Sequence, residues 1–213
     1  MPALWRLTRT ETAHRVYDAL KAHGLTATQM DEYVVHTSEL EATRDPPTGV
    51  EVRALDSDDA RVHEQTYDAF AELRDDERAV CAFDTDTVDS DSFGGDSLGD
   101  DSVDGDSLVG YLFLGDPGLT YRIHPLETDV TFSGGYIRRV FVAPSARNRG
   151  IATTLVSEAV SLADEQGAET VHALVARDNR PSQWTFESND FRVERTRSYY
   201  RIGPWRRQRV TER

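Results

Sequence analysis

The residues best suited to chemistry lie between Val140 and Leu155, where the chain reads V-F-V-A-P-S-A-R-N-R-G-I-A-T-T-L. A strand-like run, Val140-Phe141-Val142, is closed by Pro144, and an apolar-periodic stretch begins near Gly150. The first turn of a helix holds backbone N–H groups without intrahelical partners, and the helix dipole adds positive potential there. Gly150 and Ala152 leave room for a pyrophosphate to approach those amides, and Arg147 and Arg149 add charge. The arrangement is an anion cradle. It lacks the Gly-Lys-Ser/Thr ending of a Walker loop and the glycine spacing of a dinucleotide fingerprint. The six histidines show no His-x-x-x-His ligand spacing, so no metal is expected.

The surrounding elements follow from periodicity. Tyr136–Val142 reads as a strand, and Gly150 to about Gln166 as a helix with Ile151, Leu155, Ala159 and Leu162 on one face, stopped by Gly167. Thr170–Ala176 reads as a strand, Pro181 to about Asn189 as a short helix, and Arg192–Ile202 as one or two strands. Upstream, Val50–Leu55 alternates like a strand. Asp56 or Ser57 should cap a helix to about Leu73, with Val62, Thr66, Ala69, Phe70 and Leu73 on one face. Ala79–Phe83 and Val109–Leu114 read as adjacent antiparallel strands. Between them, residues 84–107 are mainly Asp, Ser and Gly and read as a disordered acidic insert in a hairpin. It holds no glutamate to close an EF-hand loop.

The first 48 residues read as a mainly helical extension. Thr10–His23 is amphipathic through Ala13, Val16, Tyr17 and Leu20. After Gly24, either Thr26 caps a second helix or Tyr33-Val34-Val35 forms a strand. Asp45-Pro46-Pro47 marks the boundary with a domain at residues 49–203. Residues 204–213 read as a basic tail, which would be solvated, pair with the acidic surface or meet a coenzyme phosphate.

The net charge of −14 repels nucleic acid and anionic lipid and attracts cations. It also fits a protein adapted to high salt. No run approaches a membrane span or a signal peptide, so a cytoplasmic location is expected. Cys81, the only cysteine, lies in an apolar run and reads as a buried, inert thiol.

On two motifs the chain resembles the GNAT superfamily of N-acetyltransferases. The first is Arg147-x-x-Gly150-x-Ala152 after Val140-x-Val142-x-Pro144. The second is Asn179-Arg180-Pro181-Ser182-Gln183-Trp184-Thr185-Phe186-Glu187-Ser188-Asn189-Asp190-Phe191, in place of Asn-x-x-Ala-x-x-Leu-Tyr-x-x-x-Gly-Phe. The resemblance implies an α+β fold: a mixed, mainly antiparallel central sheet with helices on both faces and two splayed strands. It implies acetyl-CoA as co-substrate, its pantetheine arm beside Val140, Phe141 and Val142. The coenzyme-binding set becomes those three with Arg147, Asn148, Arg149, Gly150, Ile151, Ala152, Thr153, Asn179 and Phe186.

It also implies direct attack by a primary amine, with the Val142 amide polarising the thioester carbonyl. The usual acid, a tyrosine, is here Phe186, so another group must supply the proton; Tyr199 and Tyr200 are substitutes. Glu127, Asp129 and His172 are the base candidates, each with an ordinary structural reading beside it. Arg138 reads either as a contact for an anionic part of the acceptor or as a surface arginine. The expected acceptor is a cationic small molecule or a protein amine, and homodimer formation stays open. A non-catalytic acyl-CoA sensor is the alternative function, and DNA binding through residues 8–40 is a weaker third.

Overall fold

The computed structural model of this protein describes residues 25–39, 43–65, 67–85 and 107–213. In chain order the strands are Leu25–His36 (β1), Val50–Asp56 (β2), Glu77–Asp84 (β3), Ser107–Gly115 (β4), Thr120–Ile123 (β5) and Thr128–Thr131 (β6). They continue with Gly135–Val142 (β7), Thr170–Ala176 (β8), Arg192–Ile202 (β9) and Trp205–Glu212 (β10). The helices are Ala60–His63 (α1), Ile151–Glu165 (α2) and Arg180–Glu187 (α3), with a 3-10 turn at Asp68–Glu72. Eight strands form one sheet in the order β10-β9-β1-β8-β7-β4-β3-β2, while β5 and β6 pair separately. Every pairing is antiparallel except β7 with β8.

Strand alternation sorts the core onto two faces. Val80, Ala82, Leu112, Leu114, Ile137, Val171 and Ala173 pack against α2 and α3. Ala79, Cys81, Phe83, Tyr111 and Phe113 pack against α1 and the 3-10 turn. Farther along that second face, Tyr136 and Tyr199 lie under the β5–β6 hairpin. The run Ala79–Phe83 is apolar throughout because β3 is covered on both sides. Burial pushes the Cys81 thiol up to about 12, which makes it inert at neutral pH.

The α2 helix ends where the sequence places its stop. Gly167 has φ 80°, its N–H bonds Asp164 O at 2.8 Å, and Ala168 N–H bonds Ala163 O at 2.9 Å. This left-handed cap satisfies two carbonyls that the helix would otherwise leave open.

Three expectations change. The helix expected from Asp56 or Ser57 to Leu73 is one short turn, α1, capped by Asp59, followed by the 3-10 turn. Tyr67 stays extended, and its ring reaches Tyr111 at 5.6 Å and Phe141 at 5.3 Å, so tertiary packing overrides helical spacing. From Leu25 onward the N-terminal segment is a strand inside the sheet, between β8 and β9: of the two readings after Gly24 the strand at Tyr33-Val34-Val35 holds and the helix capped by Thr26 does not, and a boundary at residue 48 does not set the segment apart. The helix expected over Thr10–His23 lies outside the described residues, as does most of the acidic insert. The basic tail is a strand: β10 pairs with β9 from Trp205↔Ile202 to Glu212↔Arg195. Among the described residues no helix is long and apolar enough to cross a membrane.

Candidate active site

The parallel pairing of β7 with β8 covers only Gly135, Tyr136 and Ile137. Beyond Ile137 the two strands part. The register of β7 on β4 shifts between Tyr111 and Phe113, and Arg139 takes φ 59°. An extra residue there bends β7 and re-aims the side chains that follow it, as β-bulges do. Ala143 N–H bonds Val109 O at 2.8 Å, and Val142 lies opposite Gly110. Amides alternate along a strand, so the Val142 N–H points the other way, into the gap.

A groove of about 680 Å³ opens at this gap. Val140, Phe141 and Val142 form one wall, the loop and first turn of α2 form its floor, and Asn179, Ser182, Trp184 and Thr185 form the other wall. Gly150 is the N-cap of α2 with φ 86°, and no side chain caps the helix. The first backbone bond into the turn is Thr154 N–H to Gly150 O at 3.0 Å. A Cβ built on Gly150 meets nothing within 4 Å. The amides of Ile151, Ala152 and Thr153 therefore face open groove. This is a good fit for a diphosphate.

Most of the expected coenzyme-binding residues gather here. Val140, Phe141, Val142, Arg147, Asn148, Gly150, Ile151, Ala152, Thr153 and Asn179 all line the groove. Arg147 folds back, its Nε donating to Val142 O at 3.1 Å, and so pins the loop to the end of β7. Asn179 Oδ1 accepts from Ser182 N and caps α3. Arg149 lies off the lining, with its guanidinium on the Asp84 carboxylate at 3.2 Å and on Thr48 O at 3.1 Å. Phe186 is also off the lining. It is 3% exposed, with its ring between Tyr33 at 6.1 Å and Phe191 at 5.1 Å. It is an α3 core residue, because the apolar face of that short helix must cover the sheet.

The proton-handling candidates separate sharply. Glu127 and Tyr199 meet: the Tyr199 hydroxyl donates to Glu127 Oε2 at 2.6 Å. That hydrogen bond outweighs desolvation and, helped by Arg206, Arg201 and Arg122, holds the Glu127 carboxyl below the ordinary range. Burial, then the bond to Glu127, raises the Tyr199 phenol. Neither residue lines the groove; both lie on the face of the sheet opposite α2, where Tyr199, Tyr136 and Leu174 share a cluster. His172 is tied up between Glu32 at 3.2 Å and Thr170 at 3.1 Å. Asp129 pairs with Arg122 at 3.5 Å in solvent. Tyr200 accepts a hydrogen bond from Gln29 at 2.9 Å. Arg138 is structural, clamped on the fully buried Glu77 at 2.5 and 2.6 Å with its guanidinium over the Phe113 ring.

Sequence reasoning missed several contributors, Ser182 among them. Trp184 and Thr185 complete the groove, and the one readable signal was a tryptophan off the apolar face of the helix, 57% exposed. Gln208 reaches the Glu127 turn from β10, and nothing local in the sequence points to it. Among the described residues no group of three or more His, Cys, Asp and Glu could hold a metal.

Solved structures share this fold. A GCN5-related N-acetyltransferase from Kribbella flavida matches at TM-score 0.52 and 14% identity, over 92% of this chain and 74% of that one. One from Sphaerobacter thermophilus matches at TM-score 0.51 and 15% identity, over 96% of this chain and 58% of that one. A Drosophila protein matches at TM-score 0.54 and 16% identity, over 90% of this chain and 57% of that one. The chain thus spans less than two thirds of the length of several structures it resembles. No curated protein matches it. The acetyltransferase (GNAT) family model matches residues 51–191, which spans the bulged strand, the uncapped helix start and the α3 helix, and the chain belongs to that family.

Proposed function

We propose that the protein is an acetyl-CoA-dependent N-acetyltransferase acting on a primary amine. The observation that carries this reading is the uncapped first turn of α2 beside the gap between β7 and β8. The amides of Ile151, Ala152 and Thr153 hold the diphosphate, and Val140 to Val142 offer backbone groups to the arm that follows. Bound there, acetyl-CoA supplies a thioester whose carbonyl carbon is open to attack by an amine, with a thiol as leaving group. The Val142 amide steadies the charge that gathers on the carbonyl oxygen.

Glu127 and Tyr199, which lie off the groove lining on the opposite face of the sheet, handle the protons through water in the gap between β7 and β8. Glu127, kept ionised by Tyr199 and its arginines, attracts a cationic acceptor and takes the proton the attacking nitrogen sheds. Tyr199 gives its proton to the departing sulfur, and Glu127 returns one to Tyr199 through their own hydrogen bond. An ammonium acceptor first releases one proton to solvent, because only the neutral amine attacks; from there the relay balances, with the proton shed by nitrogen replacing the one gained by sulfur. It also replaces the acid that Phe186 cannot supply. The net charge of −14 steers cationic acceptors toward the surface.

A thiol-release assay with a panel of amines, beside calorimetry with acetyl-CoA, tests the reading. Turnover with at least one amine is expected, and Tyr199→Phe should lower kcat about 100-fold or more. Coenzyme binding with no turnover on any amine would select the second reading, an acyl-CoA sensor. One observation favours that alternative: Phe186 carries no hydroxyl.

A further inference from the structure

The β10 strand has no apolar burial to explain why it is held. All eight of its residues are exposed, and it lies at the open edge of the sheet. Two of its side chains, Gln208 and Arg206, instead converge on one backbone turn. Gln208 Nε2 donates to Leu126 O and to Glu127 O, both at 3.3 Å. Arg206 lies 3.7 Å from the Glu127 carboxylate. The register makes this a paired device: Gln208 stands opposite Tyr199, and Arg206 opposite Arg201, which is itself 3.7 Å from Glu127. Two cross-strand pairs on one face thus grip a single residue.

That residue needs gripping. Glu127 has φ 46° and ψ 39°, a left-handed conformation that L side chains adopt only when the surroundings enforce it. It closes the 3-10 turn His124–Leu126, and its N–H bonds His124 O at 3.1 Å. The two carbonyls Gln208 holds lie on either side of the Glu127 Cα, at the end of this turn. Released, the backbone would relax and swing the carboxylate off Tyr199.

We infer that Gln208 is a positioning residue for Glu127, acting from the edge strand on the backbone of the left-handed turn. The inference rests on the proton-handling role proposed for Glu127 and Tyr199. The charged groups facing that pair are Arg201 on β9, Arg206 on β10 and Arg122 on β5.

The test compares Gln208→Glu, which has the same shape but presents acceptors to two carbonyls, with Gln208→Lys, which keeps a donor. For Gln208→Glu, kcat should fall about 100-fold, as expected when a reacting group is displaced by roughly 1 Å, with KM for acetyl-CoA unchanged. Gln208→Lys should recover most of that loss. A second readout needs no turnover: the Tyr199 phenol titration, isolated as the tyrosinate absorbance of the parent minus that of Tyr199→Phe. For this readout the variant is Gln208→Met, which removes the donor without placing a new carboxylate opposite Tyr199; its titration should move to lower pH, because the phenol loses its Glu127 partner.

A Gln208→Glu protein with parental kcat, or a Gln208→Met protein with parental titration, overturns the inference. So does an equal kcat loss in both variants that tracks a fall in melting temperature while the titration stays put. If the parent itself turns over no amine, the enzymatic reading fails, and the titration alone still decides whether Gln208 positions Glu127.

Discussion

Replacing Gly150 separates two reasons for a glycine at the start of α2. The first is backbone conformation: φ is 86°, and a left-handed alanine costs about 1–2 kcal/mol. For a chain of this size about 1 kcal/mol moves the melting temperature by about 2–4 °C, so Gly150→Ala should melt about 2–8 °C lower. The second is access. The added Cβ meets no protein atom within 4 Å, so it projects into open groove above the free amides of Ile151, Ala152 and Thr153. Losing one charge-assisted hydrogen bond there costs about 1.5–3 kcal/mol, or about tenfold to 100-fold in acetyl-CoA affinity. Gly150→Glu adds a carboxylate. At about 4 Å from a phosphate charge the repulsion runs from about 1 kcal/mol in water to about 4 kcal/mol at an effective dielectric of about 20. That added penalty should shrink as salt is raised, while the alanine penalty stays. Calorimetry with acetyl-CoA at low and high salt, beside thermal melts, reads both. If Gly150→Glu binds as tightly as the parent, the cradle argument is wrong. If Gly150→Ala melts lower yet binds normally, the glycine serves only the backbone.

Further outcomes follow from the same geometry. Phe186→Tyr should place a hydroxyl among Tyr33 and Phe191, lower stability by about 1–3 kcal/mol and leave kcat unimproved; a several-fold rise in kcat would refute the proton route through Tyr199. Arg138→Leu should strand the buried Glu77 carboxylate at a cost of about 3–5 kcal/mol, with the KM for the amine unchanged, measured by denaturant unfolding and steady-state kinetics. Glu32 links stability to acid. Burial raises its pKa, but the hydrogen bond from His172 and the charge and hydrogen bond of Arg197 prevail and leave it lowered. Its stabilising contribution is therefore full above the ordinary glutamate value of 4.5 and is lost as pH falls through the lower folded value. The stability gap between the parent and Glu32→Gln should be wide at pH 7 and narrow steadily below pH 4.5; a gap that does not change with pH would contradict this.

The parts of the molecule legible in the sequence are those that local spacing encodes. Val-x-Val-x-Pro, the Arg147–Ala152 loop and the Ile151/Leu155/Ala159 stripe each speak of their own element, and together they fix β7, the cradle and α2. What stayed hidden depends on partners far along the chain. Asp31 and Glu32 look like surface residues, yet both are buried, Asp31 holding Thr196 and Glu32 held by His172 and Arg197 from the neighbouring strands. The strand at Tyr33-Val34-Val35 was legible as one of two readings, but the adjacent carboxylates hid its full extent and its place inside the sheet. Arg206-Arg207-Gln208-Arg209 read as a tail because its register with β9 exists only in three dimensions. Phe186 aligned with a groove residue by motif position, while its burial is a matter of how α3 rolls on the sheet.

The place of β1 in the sheet has a consequence for biosynthesis. It is translated ahead of every strand it pairs with, and its partners β8 and β9 emerge more than a hundred residues later. While it waits, it is a nascent segment with both backbone edges open, the kind of surface that invites mispairing between chains. Asp31 and Glu32, later neutralised by arginines and a histidine that have yet to be made, would keep that segment hydrated and repel its copies on neighbouring ribosomes. In the finished sheet Glu32 is matched by Arg195 and Arg197, so the charge that keeps the lone strand wet is neutralised only once β9 is in place.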